Sequence, residues 1–275
     1  MPVVASSGLG QPKSLRLFCL PQRRALGFTM HTESCPNQEI LKSLSSTLDR
    51  LEESAWHIRM MEQHYHRADC FRWSLNSFLR SLKEVVQLLT MDVQGKPEIV
   101  KWLRAEKEKL NDEPLIAFLF KQRDIIVHRA MLKPASKGTV GFTRGRGLKL
   151  GLGMPIDPLA DSETAILRYI HIAAKDKDFL GILYTEEDGG GEYTCVQREW
   201  RMDQFPDTEL TELAAQAWER VAKLTLDTAT KLGASVIEPN FELQNPDRVQ
   251  FEIYRPDWVK EQLETAKSRL GESET

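Results

Sequence analysis

The segment Arg123-Asp124-Ile125-Ile126-Val127-His128 brings together a permanent cation, a carboxylate and a histidine, the side chain whose ordinary pKa lies nearest neutrality. These groups suffice for cleaving a phosphodiester without a metal. A histidine can take the proton from a ribose 2′-OH, and an arginine can hold the phosphate through two parallel hydrogen bonds while negative charge grows on it. No cofactor is needed and none is expected. Asp124 and His128 stand four apart and share a helix face, so the carboxylate would orient the ring and raise its pKa. Arg123 and His128 are five apart, about 140° around a helix and roughly 7.5 Å along it. A working site therefore needs a distorted helix end, or two copies whose motifs line one cleft across a two-fold axis. A structural reading fits the same residues, because cations in a helix's last turn complement the dipole at its carboxyl end.

Other chemistry-bearing clusters are weaker. His64, His66, Asp69 and Cys70 are metal-ligand types, but a two-residue separation on a helix points the imidazoles apart, and the link they occupy is expected to be solvated. Gly145-Arg146-Gly147 with Gly151-Leu152-Gly153 has neither the order nor the following Lys-Ser or Lys-Thr of a nucleotide loop and reads as a turn region. The acids between residues 186 and 192 lack the alternation of a calcium loop. Cys19, Cys35, Cys70 and Cys195 form no C-x-x-C pair, so neither a disulfide framework nor a zinc site is indicated, and a reducing cytoplasm is the expected compartment.

The motif must be positioned by helices. Asn37 is a candidate N-cap for a run with Leu41, Leu44, Leu48, Leu51, Ala55 and Ile58 on one face. Asp69 is a candidate cap for a second helix striped by Phe71, Leu75, Phe78, Leu82, Val85 and Leu89, and the short link between the two predicts a helical hairpin. Pro97 opens a shorter helix through Leu110 that turns Ile99, Trp102 and Leu103 inward. The motif helix is expected from Pro114 to Met131, with Pro134 ending it. Between 137 and 202, β-favouring runs at Ala165 to Ile172, Phe179 to Thr185 and Tyr193 to Trp200 predict a small antiparallel sheet, with residues 186–192 as a hairpin loop. Asp207 can cap a long helix carrying Leu210, Leu213, Ala214, Ala217, Val221 and Leu224, with Gly233 past its end. A strand at Val249 to Tyr254 and a helix at Asp257 to Leu270 follow.

The fold class is accordingly mainly α, a helical bundle with an inserted small antiparallel β region, α+β overall. The expected divisions are 1–36, a disordered or mis-annotated extension with Met30 as a candidate start; 37–134, the bundle helices with the motif; 135–206, a β-rich insertion; 207–234, the closing helix; and 235–275, a strand and helix tail. No window approaches eighteen uninterrupted apolar residues, so no membrane association is expected. The net charge is −3, yet residues 121–149 carry +7 and residues 150–275 carry −12. A basic segment in an acidic chain can face phosphate, which makes Arg129, Lys133, Arg144 and Arg146 candidate RNA contacts.

With Arg123, Asp124 and His128 the chain resembles the higher eukaryotes and prokaryotes nucleotide-binding (HEPN) superfamily, helical bundles marked by R-x(4 to 6)-H with a polar residue after the Arg. The resemblance extends to the two amphipathic helices before the motif, to Phe71-Arg72-Trp73-Ser74-Leu75-Asn76, and to the long helix after it, over residues 38–134 and 207–233. It implies a metal-independent endoribonuclease with Arg123, Asp124 and His128 as catalytic residues. It further implies RNA as substrate, a homodimer, a toxin or phage-defence setting and an antitoxin or other protein partner. The alternative it leaves open is a non-catalytic module for dimerisation or for binding a partner or RNA.

Overall fold

The computed structural model describes residues 36–128, 132, 134–144, 147–186 and 191–273. It is mainly helical with a small four-stranded antiparallel sheet. The helices of the bundle are α1 (Pro36–Ser43), α2 (Ser45–Gln63), α3 (Ala68–Asp92), α4 (Pro97–Asp112), α5 (Pro114–His128) and α7 (Leu210–Lys231). Their formation follows from the apolar stripes: all six stripe residues of α3 and all six of α7 are buried, in one cluster with Leu44, Leu51 and Ile58. The first stripe is broken once, at Leu44, which is itself fully buried, so the turn between α1 and α2 bends into the core. The α2–α3 hairpin closes around Tyr65 as the spacing predicts. In α4, Leu103 is buried while Ile99 and Trp102 pack partly against the same core.

The remaining elements are β1 (Ala135–Arg144), β2 (Leu148–Pro155), α6 (Glu163–Lys175), β3 (Glu192–Arg201), α8 (Pro246–Val249), β4 (Phe251–Tyr254) and α9 (Pro256–Ser273). The strand order is β2-β1-β3-β4, every neighbour antiparallel. Val140 opposes Val196 and, with Tyr254, faces a second apolar cluster built from Ile166, Tyr169 and Ile170 of α6 and Val259 and Leu263 of α9. Gly141 is required by proximity rather than by backbone angle, because a Cβ there would stand 2.1 Å from the Leu150 carbonyl oxygen on β2.

Several local expectations are corrected. The run from Ala165 to Ile172 is helix α6 and not a strand: Ala165, Ile166, Tyr169, Ile170 and Ala173 are its buried residues, a helical period that outweighs the β-branched and aromatic composition. Lys177–Ile182 forms a 3-10 turn in place of the expected strand at 179–185. Residues 186–192 therefore connect that turn to β3 rather than closing a hairpin, and 187–190 lie outside the described residues. Gly151 and Gly153 belong to strand β2 instead of a turn.

The helix caps also differ, and each for a tertiary reason. Asn37 lies inside α1 and accepts a hydrogen bond from Ser235 N at 3.1 Å. Asp69 sits in the first turn of α3 and pairs with Arg72, whereas the N-terminal amide of Ala68 is capped from the sheet side by Asp161 Oδ1 at 2.8 Å. At α7 the cap is Glu209, not Asp207: its carboxylate accepts from Thr211 N at 2.6 Å and from the Tyr65 hydroxyl at 2.9 Å. Gly233, at φ +99°, ends α7 in the left-handed region, as expected of a residue just past a helix terminus.

Bundle and sheet are joined by a buried polar seam. Trp200 at the end of β3 is fully buried, stacks on Phe71 with ring centroids 4.4 Å apart, and donates from Nε1 to the Tyr65 carbonyl at 2.8 Å. Arg198, also fully buried, lies over the Trp200 ring and donates to Ser136 Oγ, the Ala160 carbonyl and the Asp157 carbonyl. Burial lowers its pKa to about 10. His66 bridges Ser162 Oγ at 2.9 Å through Nδ1 and the Val249 carbonyl at 3.0 Å through Nε2. A carbonyl only accepts, so Nε2 carries the proton and Nδ1 receives the Ser162 hydroxyl. The link expected to be solvated is thus an internal joint, and desolvation followed by the Arg198 charge depresses the His66 pKa to about 3.

Candidate functional site

The motif sits on α5, whose first turns are driven into the core by Ile116 and Leu119. Leu115, Phe118 and Phe120 add partial contacts, so the helix is anchored at its front, ahead of the motif. Arg123 and Asp124 are drawn together: Arg123 Nη1 donates to Asp124 Oδ1 at 3.2 Å. The Arg123 side chain is only 19% exposed, and its Nε is buried with no hydrogen-bond partner.

The residue that organises this spot was not singled out from the sequence. Lys83 of α3 reaches across to Asp124, with Nζ at 2.7 Å from Oδ1 and 2.9 Å from Oδ2, and lies 5.7 Å from the centre of the Phe120 ring. The hydrogen bond from Lys83 is the largest influence holding the Asp124 carboxyl below its ordinary pKa, and that from Arg123 acts in the same direction against a desolvation effect. Nothing local in the sequence marks Lys83, because its partner is 41 residues away and on another helix.

Asp124 therefore engages Lys83 and Arg123, the former with both oxygens. The expected contact of Asp124 with the His128 ring falls on a side chain outside the described residues. His128 closes α5, but its side chain lies outside the described residues, as do Arg129, Lys133 and Arg146. Among the expected RNA contacts Arg144 is described. It forms an ion pair with Glu192 at 2.6 Å, directly across the β1–β3 register. The cation is therefore neutralised locally, although its side chain is 63% exposed.

Two shallow grooves occur elsewhere. One of about 440 Å³ lies between α4 and α7, lined by Trp102, Glu106, Asp227, Thr230 and Lys231. The other, about 490 Å³, crosses the sheet beside Lys137, Thr139, Gly153, Gln197 and Glu199. Neither includes Lys83, Arg123 or Asp124. Among the described residues no three His, Cys, Asp or Glu side chains are grouped so as to hold a metal ion, and no helix is long and apolar enough to cross a membrane. The Cys70 and Cys195 thiols are free, and burial pushes that of Cys195 up to about 12.

Residues 29–139 are similar to the family model described as Bacteriophage lambda protein ea47. The matched stretch takes in α1 to α5 and the first half of β1, and so contains Lys83 and the whole Arg123–His128 segment. No curated protein and no solved structure matches the chain.

Proposed function

We propose that the chain is a metal-independent endoribonuclease of the HEPN type, with His128 as the base that deprotonates the ribose 2′-OH and Arg123 as the group that stabilises the phosphate. One observation carries this reading. Arg123 is held at the α3–α5 seam by Asp124, itself clamped by Lys83, five residues before His128 on the same helix. A guanidinium so fixed is preorganised for an anion, since its orientation is set before the anion arrives. The spacing of Arg123 and His128, five residues apart along α5, fits a site assembled from two copies. The similarity to a phage-protein family accords with a phage-related setting. Asp124 takes the part of a positioning residue for Arg123.

The test is cleavage of single-stranded RNA by the purified chain in EDTA, with 2′,3′-cyclic phosphate ends as the expected product. Arg123→Ala and His128→Ala should each lose at least 100-fold in rate while retaining the wild-type circular dichroism. Equal cutting by wild type and both variants would assign the activity to a contaminant.

A second reading is supported by the ion cluster itself. Lys83 and Arg123 both pair with the Asp124 carboxylate, which ties α3 to α5 as a structural clamp would, and a non-catalytic module for dimerisation or binding needs nothing more. In that case RNA stays intact, and both variants keep a specific partner that wild type retains on an affinity column.

A further inference from the structure

Twelve large apolar side chains are exposed among the described residues, and eight of them belong to the sheet, its helices or their connections. Two of these, Leu150 at 59% and Leu152 at 48%, stand two apart on β2 and therefore on one face of the strand. β2 is the edge strand of the sheet and pairs with β1 alone among the described strands, so its outer row of backbone N–H and C=O groups faces away from the sheet. Natural edges are normally blunted by charge, proline or a bulge. Here the one charge, Lys149, lies near the start of the strand, Pro155 is its last residue, and the bulge falls at the Phe142/Thr143 end of the register. The centre, Leu150-Gly151-Leu152-Gly153-Met154, carries none of these.

We propose that β2 pairs antiparallel with β2 of a second copy about a two-fold axis, joining two four-stranded sheets into one of eight. The partner must offer an extended strand, because only a strand supplies the alternating donors and acceptors that the edge leaves unused. The sequence of β2 makes a copy of itself a suitable strand. With Gly151 opposite Gly151, Leu150 meets Leu152 of the second copy and Leu152 meets Leu150, so all four exposed leucines are covered in two reciprocal pairs. In this register Lys149 opposes Gly153, and like charges are nowhere apposed. Pairing faces of opposite parity would put leucine against the wrong side of the sheet, so the two-fold has to pass through a residue. The contact buries on the order of 1,000 Å² in total, the low end for a specific interface, and the expected association is a weak one, with a dissociation constant of about 1 to 100 μM. It uses no residue of the Lys83–Asp124–Arg123 cluster and does not depend on the activity proposed above.

The full chain should sediment as a monomer–dimer equilibrium between about 1 and 100 μM. Leu150→Lys combined with Leu152→Lys should weaken the dimer at least 10-fold without changing the circular dichroism. The register is read by cross-linking, in a background where Cys19, Cys35 and Cys70 are serine. Paired residues on antiparallel strands are spaced for a disulfide, so Leu150→Cys protein mixed with Leu152→Cys protein should form a covalent dimer on mild oxidation, well above either variant alone. A wild-type chain monomeric at 100 μM overturns the proposal. So does a dimer that the double lysine variant leaves intact, and so does cross-linking that is as efficient in the separate samples as in the mixture.

Discussion

Lys83 and Asp124 tie α3 to α5 through both carboxylate oxygens, at 2.7 and 2.9 Å, and Arg123 shares one of those oxygens from the neighbouring position. The arrangement is two cations around one anion. Removing the anion is therefore worse than removing either cation, because it leaves Lys83 and Arg123 facing each other uncompensated. The Asp124→Ala variant should be less stable than Lys83→Ala by about 0.5 kcal/mol in urea unfolding, a difference that shrinks in 1 M salt. Equal losses would mean that the carboxylate is not shared.

Asp161 caps a helix to which it is not joined in sequence. Asp161→Ala removes the acceptor for the Ala68 amide and the partner of Arg67, at a cost of about 1 to 2 kcal/mol. Asp161→Asn retains an oxygen for the amide and should lose less than half as much. Urea midpoints at constant m-value check both.

His66 should make the protein acid-sensitive. Its folded pKa, about 3, lies below the ordinary value of 6.5, so the unfolded chain binds a proton that the native state refuses. The stabilisation is complete above pH 6.5 and falls as the pH drops toward 3, by about 1.4 kcal/mol per pH unit from this group. Arg198 and Arg67 reinforce the effect by repelling a second positive charge. Comparing wild type with His66→Gln between pH 7 and pH 5 isolates the histidine. The variant should be less stable at pH 7 and show a flatter pH dependence, and parallel curves would refute the assignment.

Trp200 is the largest side chain at the joint. Trp200→Ala should cost about 3 to 5 kcal/mol, enough to unfold a marginal domain. Trp200→Phe keeps an aromatic ring against Phe71 but leaves the buried Tyr65 carbonyl without its donor, at about 1 to 3 kcal/mol. Thermal unfolding followed by near-ultraviolet circular dichroism measures both.

The helical stripes were legible because their signal is local. Phe71, Leu75, Phe78, Leu82, Val85 and Leu89 announce α3 by spacing, and all six are buried. What escaped was whatever depends on a distant partner. Asp69 and Asp207 stand where a cap is expected, yet Asp161 and Glu209 perform that role because tertiary packing brings their carboxylates to the amides. His66 looked like a solvent-exposed link residue until Ser162 and Val249 closed over it. At the candidate site, spacing identified Arg123 and Asp124 but could not name Lys83. In α6 the failure was different: Ile166, Tyr169 and Ile170 favour strands by type and a helix by period, and the period prevailed.

The chain order of the sheet has a consequence for how the protein comes into being. β3 is completed by β4, at residues 251–254, and the second core needs Val259 and Leu263 of α9, whereas α7 lies between them and the rest of the sheet in sequence. During synthesis the helical hairpin of α2 and α3 can form early from near neighbours, but the sheet keeps one face and one edge unfinished until β4 and α9 have been made. For that interval β3 offers an open edge beside an already folded bundle, so premature termination anywhere before β4 should yield a chain that is helical, sticky and a ready substrate for proteases.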